Sequence, residues 1–198
     1  VSLGIGVAFI LVRTRIWGRS ILDTCVMLPL AVPGIVIAFG YLAMTQKGQF
    51  FEFLNPINNP TVLLIIAYAM RKLPFVVRSA VAGLQQSSIT YEEAAQNLGC
   101  PPMKSAFRIT LPLIVASLIA GAMLAFSQSM LEVSDSLMLA QKQQFYPITK
   151  AIYELLGFLG DGRFIASALG VWAMLFLSLT ILGANKILGK KLGSVFRL

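Results

Sequence analysis

From Ile21 to Met44 the chain runs twenty-four residues with one charged side chain, Asp23, near the start. A helix of that length extends about 36 Å, enough to cross a hydrocarbon core of about 30 Å with some tilt. Further apolar stretches occur at about 1–12, 61–83, 109–131 and 164–185. Lipid offers the backbone no hydrogen-bond partners, so apolar runs of this length must bond internally, as helices. Composition agrees: 57% of the 198 residues are hydrophobic and only 12% are charged, against about 25% charged in soluble domains. Mean hydropathy is +0.80. The expected fold is an all-α, polytopic bundle of membrane helices forming one domain over 1–198. The 1–12 stretch is too short to span and follows no basic segment, so it reads as the end of a membrane helix rather than a signal peptide.

Several spans carry irregularities. Pro29 and Pro33 lie inside the 21–44 span, where prolines kink or unwind a helix. A static kink and a moving hinge are both open at this point. Arg71-Lys72-Leu73-Pro74 interrupts the 61–83 span. Those charges either face an inner mouth of a pathway or snorkel to the headgroups. The 132–162 stretch reads as a long outer segment with an amphipathic helix near 146–159 and a turn at Gly160-Asp161-Gly162.

Net charge is +8, and the basic residues are spread over short loops. That suits a membrane protein better than a nucleic-acid partner. If the 90–110 loop is cytoplasmic, ten basic residues lie inside: Arg13, Arg15, Arg19, Arg78, Lys104, Arg108, Lys186, Lys190, Lys191 and Arg197. Four lie outside: Lys47, Lys142, Lys150 and Arg163. The expected orientation puts the N-terminus of the chain outside and the C-terminus in the cytoplasm.

Catalytic chemistry has few candidates. There is no histidine, and Cys25 and Cys100 fall in a span and a loop with no ligand spacing. No phosphate-cradling loop or nucleophile triad is present. No catalytic or metal-ligating residue and no bound cofactor is expected; ATP hydrolysis needs another chain.

The most informative stretch lies between two spans. Ser88 or Thr90 can cap a short helix whose first turn holds Glu92 and Glu93. Gly99 suits a helix end, and Pro101-Pro102 stop the helix and allow another from about Met103 to Ile109. Pro112 opens the next apolar run. The stretch reads Glu93-Ala94-Ala95, Gly99 four residues after Ala95, then Ile109, Leu111 and Pro112.

This stretch resembles the EAA loop of the permease subunits of binding-protein-dependent ABC importers, matching it at every fixed position. The resemblance implies a type I importer transmembrane domain in a bacterial inner membrane, a transport subunit rather than an enzyme. It implies that the loop at 90–110 forms a coupling helix docking on an ABC ATPase subunit, which binds the ATP and magnesium. Glu93 is then the charged docking contact, Ala94 and Ala95 the close-packed surface, and Gly99 the bend; Ile109, Leu111 and Pro112 anchor the loop. The other implied partners are a second permease half, an extracellular or periplasmic substrate-binding protein, and lipid. Leu28 to Gly34, Arg71 to Phe75 and Glu132 to Ser136 most resemble the C-terminal half of iron(III)-type permeases. Sulfate, molybdate, thiamine, polyamine and phosphonate permeases share much of the pattern. A channel or secondary transporter is one rival class, and only Arg71 and Lys72 suggest it; a membrane-embedded enzyme is the other, and it lacks a nucleophile or ligand cluster in the sequence.

Gln128, Glu132 and Asp135 are spaced by four and three residues, so they share a face if helix continues through them. On one reading they line the outer end of a pathway, where oxygen ligands suit a hard cation. On the other, Glu132 and Asp135 are solvated loop residues and Gln128 bonds a neighbouring helix.

Overall fold

The computed structural model describes residues 1–195, with side chains through Ala184 and at Lys186. Lys190, Lys191 and Arg197, three of the ten basic residues assigned inside, lie outside the described side chains. Among the described residues every regular element is helical. The chain divides into two units. The first comprises Val1–Met27 and Leu73–Ala125 with the chain from Asn185; the second comprises Leu28–Lys72 and Phe126–Ala184.

In the first unit, α1 (Ser2–Arg13) and the second half of α4 (Thr61–Gln86) pack with the start of α8 (Val115–Met130). Ala8, Ala80, Leu84, Ile114 and Leu118 form its apolar centre. Glycines let α4 and α8 approach closely. A Cβ on Gly83 would lie 2.9 Å from Ser117 side-chain atoms, and one on Gly121 would lie 2.7 Å from Ser79 Cβ. Each helix thus carries a small residue every fourth position, Ser79 and Gly83 facing Gly121 and Ser117 in antiparallel order. This is the small-residue packing of membrane helices, where dispersion rather than water exclusion drives contact.

The second unit joins α3 (Gly34–Met44) to α9 (Ser134–Leu139), with the first half of α4 supplying Leu63, Leu64 and Ala67. These three pack with Leu139 and Ala140. An amphipathic helix, α10 (Ile148–Leu156), falls inside the expected 146–159 stretch. The turn expected at 160–162 holds Gly160 at φ +88°, a conformation glycine adopts freely.

Four boundaries differ from the sequence expectation. The 21–44 stretch is two helices, α2 (Arg19–Ala31) and α3, broken at Val32–Pro33. Pro33 has no N–H and pushes Val32 out of the helical region. By contrast α4 continues unbroken through Arg71–Pro74, with Pro74 fully buried inside it. The second helix of the loop also continues past Ile109. It runs from α6 (Pro102–Ser105) through a π-helical turn, Ala106–Thr110, into α7 (Leu111–Leu113). Pro112 therefore sits inside a helix, and the wider π turn before it relieves the clash a proline makes with the preceding turn. The chain bends after Leu113, where α6–α7 meets α8 at 71°. Lastly, 132–162 holds a further helix, α9, ahead of the expected amphipathic one.

By length and composition one helix can cross a membrane, the Gly162–Ala184 part of α11 (Gly162–Val195). The total reaches three if each bent pair, α2–α3 and α6–α8, is one span. With twenty-six residues α4 is long enough, but Arg71, Lys72 and Arg78 reduce its apolar character.

Candidate functional site

The loop between α4 and α8 is built by short-range rules. Ser88 Oγ accepts the Thr90 N–H at 3.3 Å as α5 (Thr90–Asn97) begins. At the other end Gly99 adopts φ +85°. Its N–H donates to Gln96 O at 2.9 Å, and the Cys100 N–H donates to Ala95 O at 3.0 Å. These paired bonds satisfy carbonyls that a helix end leaves free, and the left-handed residue they require is best supplied by glycine. Pro101 is extended, at ψ 145°, and α6 starts at Pro102.

The two glutamates of α5 have different environments. Glu92 is 7% exposed, and its Oε1 accepts from Arg13 Nε at 2.9 Å. Arg13 Nη2 also donates to Ser87 O at 3.0 Å and Ser87 Oγ at 2.9 Å. One guanidinium at the end of α1 thus holds the start of α5 and the chain just beyond α4. Glu93 and Ala94 are exposed and Ala95 is half-buried. Gly99 and Pro112 are exposed, while Ile109 and Leu111 are half-buried; Leu111 packs on the Ala8–Leu118 centre. Leu98 and Met103 are exposed on the same loop. The loop therefore combines a held inner side with an accessible outer one carrying a carboxylate, a small residue and apolar side chains.

Sequence reasoning named Glu92 as a first-turn acid and Arg13 as a loop cation, without pairing them or finding Ser87. Seventy-nine positions separate Arg13 from Glu92, and no local pattern pairs them.

A second cluster lies in the other unit. Arg71 and Lys72 are the eleventh and twelfth residues of α4. Lys72 Nζ donates to Glu132 Oε2 at 2.6 Å. Arg71 bridges both acids, with Nε 3.3 Å from Glu132 Oε2 and Nη1 3.3 Å from Asp135 Oδ1. Glu132 is 7% exposed and Asp135 1%. A Cβ on Gly34 would overlap the Arg71 guanidinium, so glycine at the start of α3 makes room for the cation.

The premise of one continuous helical face through Gln128, Glu132 and Asp135 is corrected by these positions. Helix α8 stops at Met130, α9 begins at Ser134, and Gln128 is exposed. Glu132 and Asp135 meet through Arg71 rather than through helical spacing. The solvated-loop alternative fails as well, since both carboxylates are buried. Arg71 and Lys72 are ion-paired within the protein and do not reach out as snorkelling cations.

On α10, Lys150 is buried and donates to Leu137 O at 3.1 Å and Ala140 O at 2.5 Å. It thereby satisfies carbonyls at the end of α9. Burial lowers the pKa of its ammonium, and the Glu154 carboxylate opposes the shift.

The family model described as "binding-protein-dependent transport system inner membrane component" matches residues 1–193. A sulfate transport system permease protein, CysT of Salmonella typhimurium, is 34% identical over 142 residues, 69% of this chain and 51% of that protein. The molybdenum transport system permease protein ModB of Escherichia coli is 32% identical over 133 residues, 64% of this chain and 58% of its own length. The ferric transport system permease protein FbpB of Actinobacillus pleuropneumoniae is 30% identical over 131 residues, 66% of this chain and 18% of that protein. The chain spans about half the length of the curated CysT and ModB relatives.

Proposed function

Because the chain belongs to the family of binding-protein-dependent transport system inner membrane components, we propose that it is the permease half of an ATP-driven importer of a small inorganic ion. It acts as a transport subunit, and ATP with magnesium binds on a separate ABC ATPase. The observation that carries this reading is the division of labour in the 90–110 loop. Glu92 is buried and ion-paired to Arg13, while Glu93 and Ala94 remain accessible for a partner. A helix held at its base and open on its outer side suits a mechanical contact. When the ATPase moves α5, the Arg13 tie carries the displacement into α1 and α4 rather than letting the loop flex alone.

The remaining partners are a second permease half, which the resemblance implies, and a solute-binding protein on the opposite side. The loop lies in the cytoplasm, with the N-terminus of the chain outside and the C-terminus inside; the ten-to-four bias of basic residues supports that orientation. The solute class follows the relatives, which are named for sulfate, molybdenum and ferric transport. Iron(III) draws support from the ferric relative and the local resemblance. The oxygen-rich face that suggested a hard cation is weaker support, since Glu132 and Asp135 are already neutralised by Arg71 and Lys72.

The test is uptake by the full-length transporter in proteoliposomes with its ATPase and binding protein, measured for sulfate, molybdate and iron(III). ATP-dependent uptake of one of these, lost on Gly99→Pro or Glu93→Lys with membrane insertion intact, is the expected result. Uptake independent of ATP would instead support a channel or secondary transporter.

A further inference from the structure

A cavity of about 480 Å³ opens in the first unit where α1, α2 and α4 converge. Its size falls within the roughly 300–1,000 Å³ of small-ligand sites. Arg19, Ser20 and Asp23 of α2 line it together with Arg78 and Gln85 of α4, and Leu11 of α1 forms part of its floor. Two guanidiniums and one carboxylate leave the lining with a net charge of +1. Arg78 Nη2 donates to Asp23 Oδ2 at 3.2 Å, but the two side chains are 53% and 36% exposed, so the pair is weak. Arg19 makes no ion pair among the described residues. It also opens α2, where the positive end of the helix dipole adds to the field.

The surroundings indicate the source of an anion. Trp17, just before α2, is 98% exposed, and Ile16 and Ile21 beside it are exposed as well. An aromatic ring flanked by aliphatic side chains next to arginines is the arrangement found at membrane interfaces. Arg78 and Gln85 belong to the end of α4 that leads into the 90–110 loop, so on the orientation proposed above the cavity faces the cytoplasmic leaflet. Anionic headgroups there attract juxtamembrane arginines.

We propose that this cavity binds the phosphate of an anionic phospholipid, with Arg19 and Arg78 as its ligands and Trp17 seated at the interface. A headgroup of charge −1, such as phosphatidylglycerol, matches the lining. A zwitterionic headgroup leaves the +1 uncompensated.

The test uses the full-length transporter in nanodiscs doped with photoactivatable phosphatidylglycerol, phosphatidylethanolamine or phosphatidylcholine, with cross-links mapped by mass spectrometry. Nanodiscs present both leaflets, so the result does not depend on which side the loop faces; orientation is tested separately by lysine labelling. Phosphatidylglycerol should cross-link within 16–23 several times more than the zwitterionic lipids. Arg19→Gln and Arg78→Gln should each reduce that yield about fivefold, and Lys47→Gln should leave it unchanged. Equal yields from the three lipids, or full yield in the Arg19→Gln, Arg78→Gln double variant, would overturn the proposal. So would saturable binding of inorganic phosphate to the detergent-solubilised transporter without preference for phosphatidylglycerol.

Discussion

Glu92 and Glu93 are adjacent and identical in chemistry, yet the structure assigns them opposite work, and Glu92→Gln against Glu93→Gln separates the two roles. Glutamine keeps the size of the side chain and removes its charge. At position 92 this strands Arg13, whose side chain is 10% exposed. Removing one partner of a buried ion pair costs about 3–5 kcal/mol. Arg13 keeps its two bonds to Ser87, which lowers the expected loss to about 2–3 kcal/mol. Local opening of α5 then becomes about 30- to 160-fold more frequent. Hydrogen exchange of the α5 amides, in the full-length transporter without its ATPase, reads this directly as lost protection. Glu93→Gln alters an exposed side chain, so protection should change by less than about 0.5 kcal/mol. Affinity for the ATPase should respond the other way round, with Glu93→Gln giving the larger loss. A double variant, Arg13→Gln with Glu92→Gln, should be less disturbed than the sum of the single changes. Equal protection in the two glutamate variants, or additive effects of Arg13 and Glu92, would refute the tie.

Three further outcomes follow from the geometry. Gly99→Ala places a side chain at φ +85° and should destabilise the α5–α6 turn by about 1–2 kcal/mol, read by exchange at Gly99 and Cys100. Gly34→Ala should expel the Arg71 guanidinium and leave Asp135 buried and uncompensated, a loss of about 3 kcal/mol or more; adding Asp135→Asn should recover part of the thermal stability. Impermeant amine labelling of right-side-out vesicles should modify Lys47 and Lys142 but not Lys104, and labelling of Lys104 would reject the proposed orientation.

Local grammar was readable in advance and long-range pairing was not. Gly99, Pro101 and Pro102 act on their own backbone, so the break between α5 and α6 could be read from residue type alone. Proline by itself was ambiguous. Pro33 ends a helix while Pro29 and Pro74 sit inside theirs. Beside Pro33, Gly34 has no side chain and so admits Arg71 from a helix thirty-seven positions away. Acidic residues showed the same limit. Spacing grouped Glu132 and Asp135 with Gln128, whereas charge grouped them with Arg71 and Lys72, sixty or more positions distant. The facing Ser–Gly pairs of α4 and α8 follow a four-residue small spacing present in the sequence, but which helix meets which is decided only by tertiary packing.

The contact between α5 and an ATPase is measured most directly by site-specific photo-cross-linking in the assembled full-length transporter. A photoreactive residue placed at Glu93 or Ala94 should cross-link to the ATPase, and one at Glu52, in the segment between α3 and α4, should not. Cross-links from Glu93 and Ala94 with none from Glu52 are the result this account predicts; none from the 90–110 loop, or equal yield from Glu52, would contradict it.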